Sequence, residues 1–284
     1  MDRYITGELQ KRYTNKNNMP GNKTIIDLAL KGYLAELPSG EPVQRIDSTF
    51  KEIAMTQLKL FIFGGHDTTA TTICYSYLLL SRNPSMLRKL REEHDNVLGT
   101  DIERAPDPVA SQPHLLNQLP HTCATIKETL RLFPVVTSPR AGQSGYELTD
   151  SEGRGYPTEH CLVWSNHHGL HINPLYWPKV EEFLPDRWLV PENHPLHPIK
   201  NAWRPFEFGP RNCIDQELAL TELKLVLAIT AREFDVRPAY EEWDPSRGGR
   251  KGVKTVNGER AYQIQVGSAR PSNGFPAREY FASR

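Results

Sequence analysis

Apolar residues recur every three or four positions through much of the chain, which is the period of an α-helix rather than of a strand. Two short helices are predicted near the start, around residues 2–13 and 24–37. Residues 47–82 predict one long, mostly buried helix with Asp47 or Ser48 as its N-cap. Its apolar positions include Phe50, Ile53, Leu58, Phe61, Ile62, Ile73, Tyr77 and Leu80.

Three further helices follow from the same period and from their end signals. Pro84 opens one that Gly99 closes, and residues 119–134 form another that ends at Pro134. The last helix is predicted over about residues 214–234, with enough apolar positions to be buried. Those positions are Leu218, Leu225, Val226 and Ile229 on one face, widened by Leu223 and Leu227.

The remaining segments lack helical periodicity. Residues 135–175 contain short β-like runs broken by Gly and Pro, and residues 176–212 predict a meandering loop rich in Pro, Trp and Arg. The tail from residue 237 onward predicts a β-hairpin and coil. The pattern therefore indicates a mainly α protein with small β elements.

Composition narrows the functional classes. The 284 residues allow one large domain or two small ones, and 38% apolar residues suffice for a core. Lys plus Arg and Asp plus Glu number 34 each, without a basic block, which argues against a nucleic-acid partner. Four separated cysteines with no CxxC pair indicate a reducing compartment. No secretory signal and no apolar run of about 18 residues is found, so we expect a soluble or peripheral chain.

The stretch FGGHDTTATT at residues 63–72 is unfavourable for a helix interior. Two glycines cost about 1 kcal/mol each relative to alanine, and the threonines are β-branched. Within a helix, Gly64 and Gly65 would open a groove beside the carboxylate of Asp67 and the hydroxyl of Thr68. The alternative is a strand, LKLFIF, that ends in a Gly-Gly turn.

Charged residues in two other stretches allow either a structural or a surface role. Glu128 and Arg131 are three residues apart and share a helix face, where such a pair is usually solvated and worth about 0.2–0.5 kcal/mol. Arg187 lies between Pro185 and Trp188 in the meandering loop, where a guanidinium can clamp carboxylates and carbonyls. The alternative for Arg187 is an ordinary surface arginine.

Two candidate metal sites differ in strength. Cys213 follows a Gly-Pro turn at the start of a predicted helix, with Arg211 two residues away, and both features favour a thiolate ligand over a buried thiol. His167 and His171, with Cys161 nearby, have the spacing of a zinc pair. The zinc hypothesis is weak because no Glu completes an HExxH pattern.

Four motifs in this order resemble the cytochrome P450 family. They are GGHDTT at 64–69, ETLR at 128–131, PDRW at 185–188 and FEFGPRNC at 206–213. GHDTT, LHINP and the tail GERAYQ further resemble filamentous-fungal members of secondary metabolism. The resemblance implies the C-terminal part of the family fold over residues 1–284, without the N-terminal anchor, early helices and early strands. Its parts would be the oxygen-groove helix, ExxR helix, meander, Cys loop with its following helix, and C-terminal β-hairpin.

The resemblance also implies residue roles. Cys213 would be the axial thiolate of haem iron, which favours O–O cleavage, and Phe206 would shield its sulfur. Asp67 and Thr68 would deliver protons to dioxygen. The structural residues would be Glu128, Arg131 and Arg187, in a buried ion network. Arg211 and Arg140 would bind the cofactor through the haem propionates.

The implied activity is insertion of one oxygen atom into a small apolar metabolite, with electrons from NADPH through cytochrome P450 reductase. The expected location is the endoplasmic reticulum surface, or the cytoplasm for a chain without an anchor. The alternative is an inactive remnant or an interaction module without haem. One local departure is Asp215, where the family has glycine. Its carboxylate would crowd the site and compete with the thiolate for N–H donors.

Overall fold

The computed structural model describes residues 1–15, 24–37, 46–246 and 254–282. Within these ranges the chain is mainly helical with four small sheets, so the predicted class is confirmed. Two compact units are present, Met1–Asp67 and Thr68–Arg284, and the boundary falls inside one long helix. None of the helices described has the length and apolar character needed to cross a membrane.

The first unit contains helices α1 (Asp2–Thr14), α2 (Ile25–Glu36) and the start of α3 (Ser48–Arg82). Thr24 and Asp27 form a reciprocal capping box at the start of α2, and Arg12 of α1 donates to the Asp27 carboxylate at 2.5 Å. The three helices share a small apolar core of Ile5, Leu9, Tyr13, Leu30, Ala54 and Leu58.

Helix α3 begins as predicted, because the Asp47 carboxylate accepts the Phe50 N–H at 2.9 Å. It continues through Gly64 and Gly65, so the alternative of a strand and turn is wrong. The prediction that α3 is mostly buried is correct for its second half and wrong for its first half. Ile53 and Ile62 are 56% and 45% exposed, because only Ala54 and Leu58 of this half join the small core.

The second unit is built on four helices: the end of α3, α4 (Pro84–Leu98), α6 (Pro120–Leu132) and α8 (Gln216–Glu233). Helix α5 (Pro106–Ser111) and a 3-10 turn at Pro113–Gln118 lead into α6. Gly99 ends α4 with a left-handed φ of +84°, as its position predicts. The core lies between these helices and includes Tyr75, Leu78, Leu90, Ile126, Leu130 and Leu227.

Helix α8 turns a different face to the core than the sequence predicts. It packs against α4 and α6, and its buried side chains are Leu223, Leu227, Ala228 and Ala231. Leu218 is 61% exposed, since it lies in the first turn, ahead of these contacts. Leu225, Val226 and Ile229 are half-buried. The two positions predicted to widen the core face, Leu223 and Leu227, are therefore buried as expected, whereas the prediction of burial is wrong at Leu218.

Short antiparallel pairs and irregular segments complete the unit. The pairs are β1 (Pro139–Ala141) with β4 (Leu162–Trp164), β2 (Glu147–Thr149) with β3 (Gly155–Pro157), β5 (Phe234–Pro238) with β8 (Ala277–Phe281), and β6 (Gln263–Val266) with β7 (Ser268–Pro271). Helix α7 (His167–His171) follows β4, and residues 176–212 contain only turns and 3-10 segments, as predicted. The tail also forms α9 (Tyr240–Ser246), which the sequence did not indicate, and residues 247–253 lie outside the described residues.

A buried polar cluster joins α4 to the start of α6. The Glu93 carboxylate accepts the N–H groups of His121 and Thr122 at 2.6 and 2.9 Å, and the Thr122 hydroxyl at 2.6 Å. His94 Nε2 lies 2.7 Å from the same hydroxyl. Because that hydroxyl donates its own proton to Glu93, His94 Nε2 carries a proton and is the donor in this contact. Burial lowers the pKa of His94 to about 3, and Arg232 adds to the shift.

Candidate functional site

Glu128 is the centre of a fully buried charge cluster. Its carboxylate accepts two hydrogen bonds from Arg131, at 2.8 and 3.1 Å, and one from Arg187 Nε at 3.1 Å. The Leu184 N–H and the Trp188 indole N–H donate to it at 3.1 and 3.0 Å. All three charged side chains have no exposed surface, so the surface alternatives for Glu128, Arg131 and Arg187 do not hold.

The two guanidiniums bind the backbone of the meandering loop as well as Glu128. Arg131 donates to the carbonyls of His171, Val180 and Glu182, and Arg187 donates to those of Pro178 and Lys179. Both lie over the Trp177 ring, at 5.3 and 5.7 Å from its centroid. Burial lowers the pKa of Arg187, and the Glu128 charge opposes that shift. One carboxylate and five carbonyls thus compensate two buried positive charges.

His171 connects this cluster to the cysteine loop. Its Nε2 accepts the Arg204 N–H at 2.9 Å, so the neutral ring carries its proton on Nδ1. Burial lowers the pKa of His171 to about 3, and the nearby His167 and Arg131 add to this. His171 therefore acts as a neutral acceptor, a role that the zinc hypothesis for the HHGLH stretch did not consider.

Buried neutral histidines make the protein sensitive to acid. In the unfolded chain His94 and His171 bind a proton near the ordinary pKa of about 6.5, whereas in the folded state both pKa values are about 3. The unfolded state thus gains protons first as pH falls. We expect the free energy of unfolding to drop between pH 6.5 and 3 by about 1.4 kcal/mol per pH unit for each histidine.

Urea unfolding of the wild type at several pH values between 7 and 4.5 measures this slope. His94→Gln should remove about half of the contribution of the pair. His160→Gln is the matched control, since the His160 side chain is 92% exposed. A slope that His94→Gln leaves as steep as in the wild type would contradict the expectation.

An aromatic row leads from the charge cluster to the cysteine loop. Trp177, Trp188, Trp203 and Phe206 follow one another at centroid distances of 5.9, 5.5 and 5.9 Å. The Trp203 indole N–H donates to the Lys127 carbonyl of α6 at 3.1 Å, which fixes the row to the helix that carries Glu128. Trp177 and Trp203 were not predicted, because tryptophans in an aperiodic segment carry no positional signal.

The cysteine loop is closed by its own backbone. The Cys213 N–H donates to the Phe206 carbonyl at 2.8 Å, and Asn212 N–H donates to Gly209 at 3.1 Å. Gly209 has a φ of +72°, a conformation that glycine adopts without strain. The Cys213 thiol is free and exposed, three residues before α8 begins.

Apolar and cationic side chains are exposed at and beyond this loop. Phe208, Ile214 and Leu218 are 62%, 87% and 61% exposed, although all three are large and apolar. The Arg140 and Arg211 side chains are exposed too. An exposed thiol with apolar neighbours and guanidiniums matches the chemistry of a porphyrin with iron at its centre and carboxylates at its edge.

Asp215 takes the N-cap position of α8. Its φ of −99° is open to any residue, so the backbone here does not require glycine. The Asp215 carbonyl accepts the Ala219 N–H at 2.8 Å, while its carboxylate makes no capping bond. The predicted interference of Asp215 with haem binding must therefore come from its side chain and not from its backbone.

Asp67 and Thr68 are adjacent, half-buried residues of α3. The Thr68 carbonyl accepts the Thr72 hydroxyl at 2.9 Å, a bond that competes with the helix ladder. A Cβ built on Gly64 or Gly65 would meet no atom within 4 Å, which leaves the helix surface open one turn before Asp67.

The histidines of the zinc hypothesis are engaged by protein atoms. His167 Nδ1 donates to the Val136 carbonyl at 2.9 Å, and His171 accepts from Arg204. Cys161 is exposed. Across the part of the chain that the structure describes, no group of three or more His, Cys, Asp or Glu residues is placed to hold a metal ion.

Comparison with known proteins identifies the family. The family model described as Cytochrome P450 matches residues 1–266, so the chain belongs to the cytochrome P450 family. Cytochrome P450 monooxygenase polC of Polytolypa hystricis is 50% identical over 279 residues, which are 98% of this chain and 50% of that protein. Cytochrome P450 monooxygenase acrF of Aspergillus aculeatus is 35% identical, over 99% of this chain and 60% of its own length.

The fold agrees with this assignment. The crystal structure of the cytochrome P450DA heme domain covers all of this chain with a TM-score of 0.67, at 21% identity. The match takes up 53% of that domain. The chain thus spans about half the length of the relatives polC, acrF and P450DA that it matches.

Proposed function

We propose that this chain carries the haem-binding and oxygen-activating part of a haem-thiolate monooxygenase, with Cys213 as the axial ligand of haem b. The observation that supports this most directly is the exposed Cys213 thiol on a loop closed by the 2.8 Å bond to Phe206. A helix start and a nearby guanidinium favour the thiolate form that iron requires. The partial domain of residues 1–284 is part of the same proposal.

The other residues of the proposed site are assigned to different parts of the cofactor. Phe208, Ile214 and Leu218, all exposed, would offer an apolar face to the porphyrin, while the exposed Arg211 and Arg140 would bind its propionates. Phe206, packed edge-on against Trp203, screens the sulfur from water. When bound, the haem supplies the iron at which dioxygen is reduced and its O–O bond is broken.

Proton supply is assigned to α3. The Asp67 carboxylate and the Thr68 hydroxyl are adjacent groups able to hold and pass a proton, beside a helix surface left open at Gly64 and Gly65. Glu128, Arg131 and Arg187 take no part in the chemistry, and they hold the meandering loop that leads to Cys213.

The proposed reaction inserts one oxygen atom into a small apolar metabolite of secondary metabolism. The fungal relatives carry the word monooxygenase in their names, which supports the reaction class. Electrons would come from NADPH through cytochrome P450 reductase at the endoplasmic reticulum surface.

Haem uptake tests the proposal. The chain is expressed with a haem supply, and the ferrous carbon-monoxide difference spectrum is recorded. A red-shifted, thiolate-type Soret band is expected. Failure to take up haem would reject the proposal and favour the alternative of an inactive remnant or an interaction module.

Asp215 should weaken this site through its charge. Asp215→Gly is expected to raise haem occupancy, because it removes a carboxylate two residues from the thiolate. Asp215→Asn keeps nearly the same volume without the charge, so it separates repulsion from crowding. Absorbance titration with haem measures the haem occupancy of the wild type and of both variants. Equal occupancy in all three proteins would show that Asp215 is harmless.

A further inference from the structure

Glu207 has a backbone conformation that its residue type does not favour. Its φ is +63°, in the left-handed region where glycine and asparagine are common. Such a conformation costs a non-glycine residue about 1 kcal/mol or more. A glutamate here calls for a compensating interaction of the side chain, and that side chain is only 18% exposed.

The Glu207 carboxylate joins the cysteine loop to two other elements. Its Oε1 accepts the Ser138 N–H at 3.3 Å, just before β1, and lies 3.9 Å from the Arg140 guanidinium. The same oxygen lies 3.5 Å from Nε2 of His167, a side chain of α7 that is 1% exposed. Three segments distant in sequence therefore meet at one oxygen atom.

The hydrogen-bond roles fix where a proton must be. A carbonyl only accepts, so the 2.9 Å contact with Val136 requires a proton on His167 Nδ1. In the neutral ring Nε2 is then a bare lone pair facing a carboxylate, and two acceptors repel. Among the described residues, His167 Nε2 has no hydrogen-bond partner, and its 3.5 Å contact with Glu207 is an ion-pair distance only. The contact becomes attractive only when a second proton lies between Nε2 and Glu207.

The neighbouring groups decide which atom holds that proton. Ser138 N–H and Arg140 both favour an ionised Glu207, which leaves the proton on His167 Nε2. His168 and His171 of α7 are further titratable groups in this region, and His171 is a neutral acceptor whose pKa is about 3. The neutral state of His171 keeps a second positive charge away from His167.

We propose that Glu207 is a positioning residue: its carboxylate forms an ion pair with a protonated His167 and thereby holds the Cys213 loop against β1, with Arg140 at the edge of the pair. This inference rests on the proposed function, because the loop matters through its proposed ligand Cys213 and the nearby cation Arg140. Neither the P450 motifs nor the comparisons assign a role to Glu207 or His167.

The ion pair is tested without haem. Histidine is labelled with ¹⁵N, and the ring nitrogens of His167 are assigned by their loss in His167→Gln. Both ring nitrogens of wild-type His167 should be of the protonated type, because Nδ1 faces a carbonyl and Nε2 faces a carboxylate. In Glu207→Gln the amide donates to Nε2, which should change to the unprotonated type. An unprotonated Nε2 in the wild type would overturn the pair.

The positioning role is tested by amide hydrogen exchange at Cys213. Its N–H should exchange about tenfold faster in Glu207→Gly, which loses the charged contact altogether, and at an intermediate rate in Glu207→Gln, which keeps a neutral hydrogen bond without the ion pair. Glycine suits the φ of +63°, so a role confined to the backbone predicts unchanged or slower exchange in Glu207→Gly. That result would overturn the positioning role.

A haem titration separates this inference from the proposed function. Glu207→Gly should bind haem about 10- to 100-fold more weakly than the wild type, as is usual for residues that orient a metal ligand, and Glu207→Gln should fall between the two proteins because it lacks the ion pair. A wild type without haem affinity rejects the proposed function and leaves the ¹⁵N and exchange results to decide the inference. Wild-type affinity in Glu207→Gly rejects the inference alone.

Discussion

Cys213→Ala is expected to abolish the thiolate-type Soret band of the ferrous carbon-monoxide complex. Only a thiolate at the axial position gives that band, and the loop before α8 contains one cysteine, Cys213. The substitution should leave the fold intact, because the Cys213 thiol is exposed and its loop is closed by backbone atoms. The circular dichroism spectrum and the urea midpoint of the variant should therefore match those of the wild type.

Cys161→Ala is the matched control for this prediction. Cys161 is also free and exposed, and the same atoms are removed. Its carbon-monoxide spectrum should equal that of the wild type. A band that persists in Cys213→Ala would show that the ligand is a different residue. Equal loss in both variants would contradict a role specific to Cys213.

Glu128→Gln is expected to lower the free energy of unfolding by about 3–5 kcal/mol, the usual cost of breaking a buried ion pair from one side. The amide keeps the shape of the side chain. It leaves Arg131 and Arg187, whose side chains are 0% exposed, without a counter-charge. Its NH₂ group also faces donors, since three of the five hydrogen bonds to Glu128 come from guanidiniums and the rest from N–H groups. Urea unfolding followed by circular dichroism measures the loss.

Glu182→Gln provides the control in the same neighbourhood. Glu182 also pairs with a cation three residues away, Lys179, at 3.6 Å, but both side chains are more than half exposed. Its contribution should be within about 1 kcal/mol of zero. Its carbonyl bond to Arg131 is unchanged by the substitution. Similar losses in the two variants would mean that burial does not set the strength of the Glu128 cluster.

These two pairs show why the sequence predicts the charge cluster only in part. Glu128–Arg131 and Lys179–Glu182 have the same spacing of three residues, yet one pair is fully buried and the other is exposed. Spacing defines which side chains share a face, and burial depends on what packs on that face. Here the face of α6 is covered by a segment 50 residues later in the chain.

The helices themselves were predictable because their signals are local. Asp47, Pro84, Gly99 and Pro134 mark helix ends through capping, a fixed φ or a left-handed turn, and each lies where the structure ends a helix. The errors concern tertiary surroundings. Ile53 and Leu218 are apolar and in register with a helix face, but no element of the described structure covers them enough to bury them.

Glu207 marks a different limit. Its sequence position, between Phe206 and Phe208 before a Gly-Pro turn, indicates a loop and nothing about an inward side chain. The left-handed backbone turns its carboxylate towards His167, whose position depends on β4 and α7. Such a contact depends on tertiary placement, which the residue pattern does not contain.

The carbonyl clamp of Arg131 and Arg187 has a consequence for how this region tolerates change over evolution. Pro178, Lys179, Val180 and Glu182 contribute main-chain oxygens to the clamp, which any residue type can supply. Substitutions there should accumulate freely except at Lys179, whose φ of +51° disfavours β-branched residues and proline, whereas the insertion or deletion of a single residue would move carbonyls out of reach. The length of this segment, rather than its composition, is thus the quantity that selection must conserve.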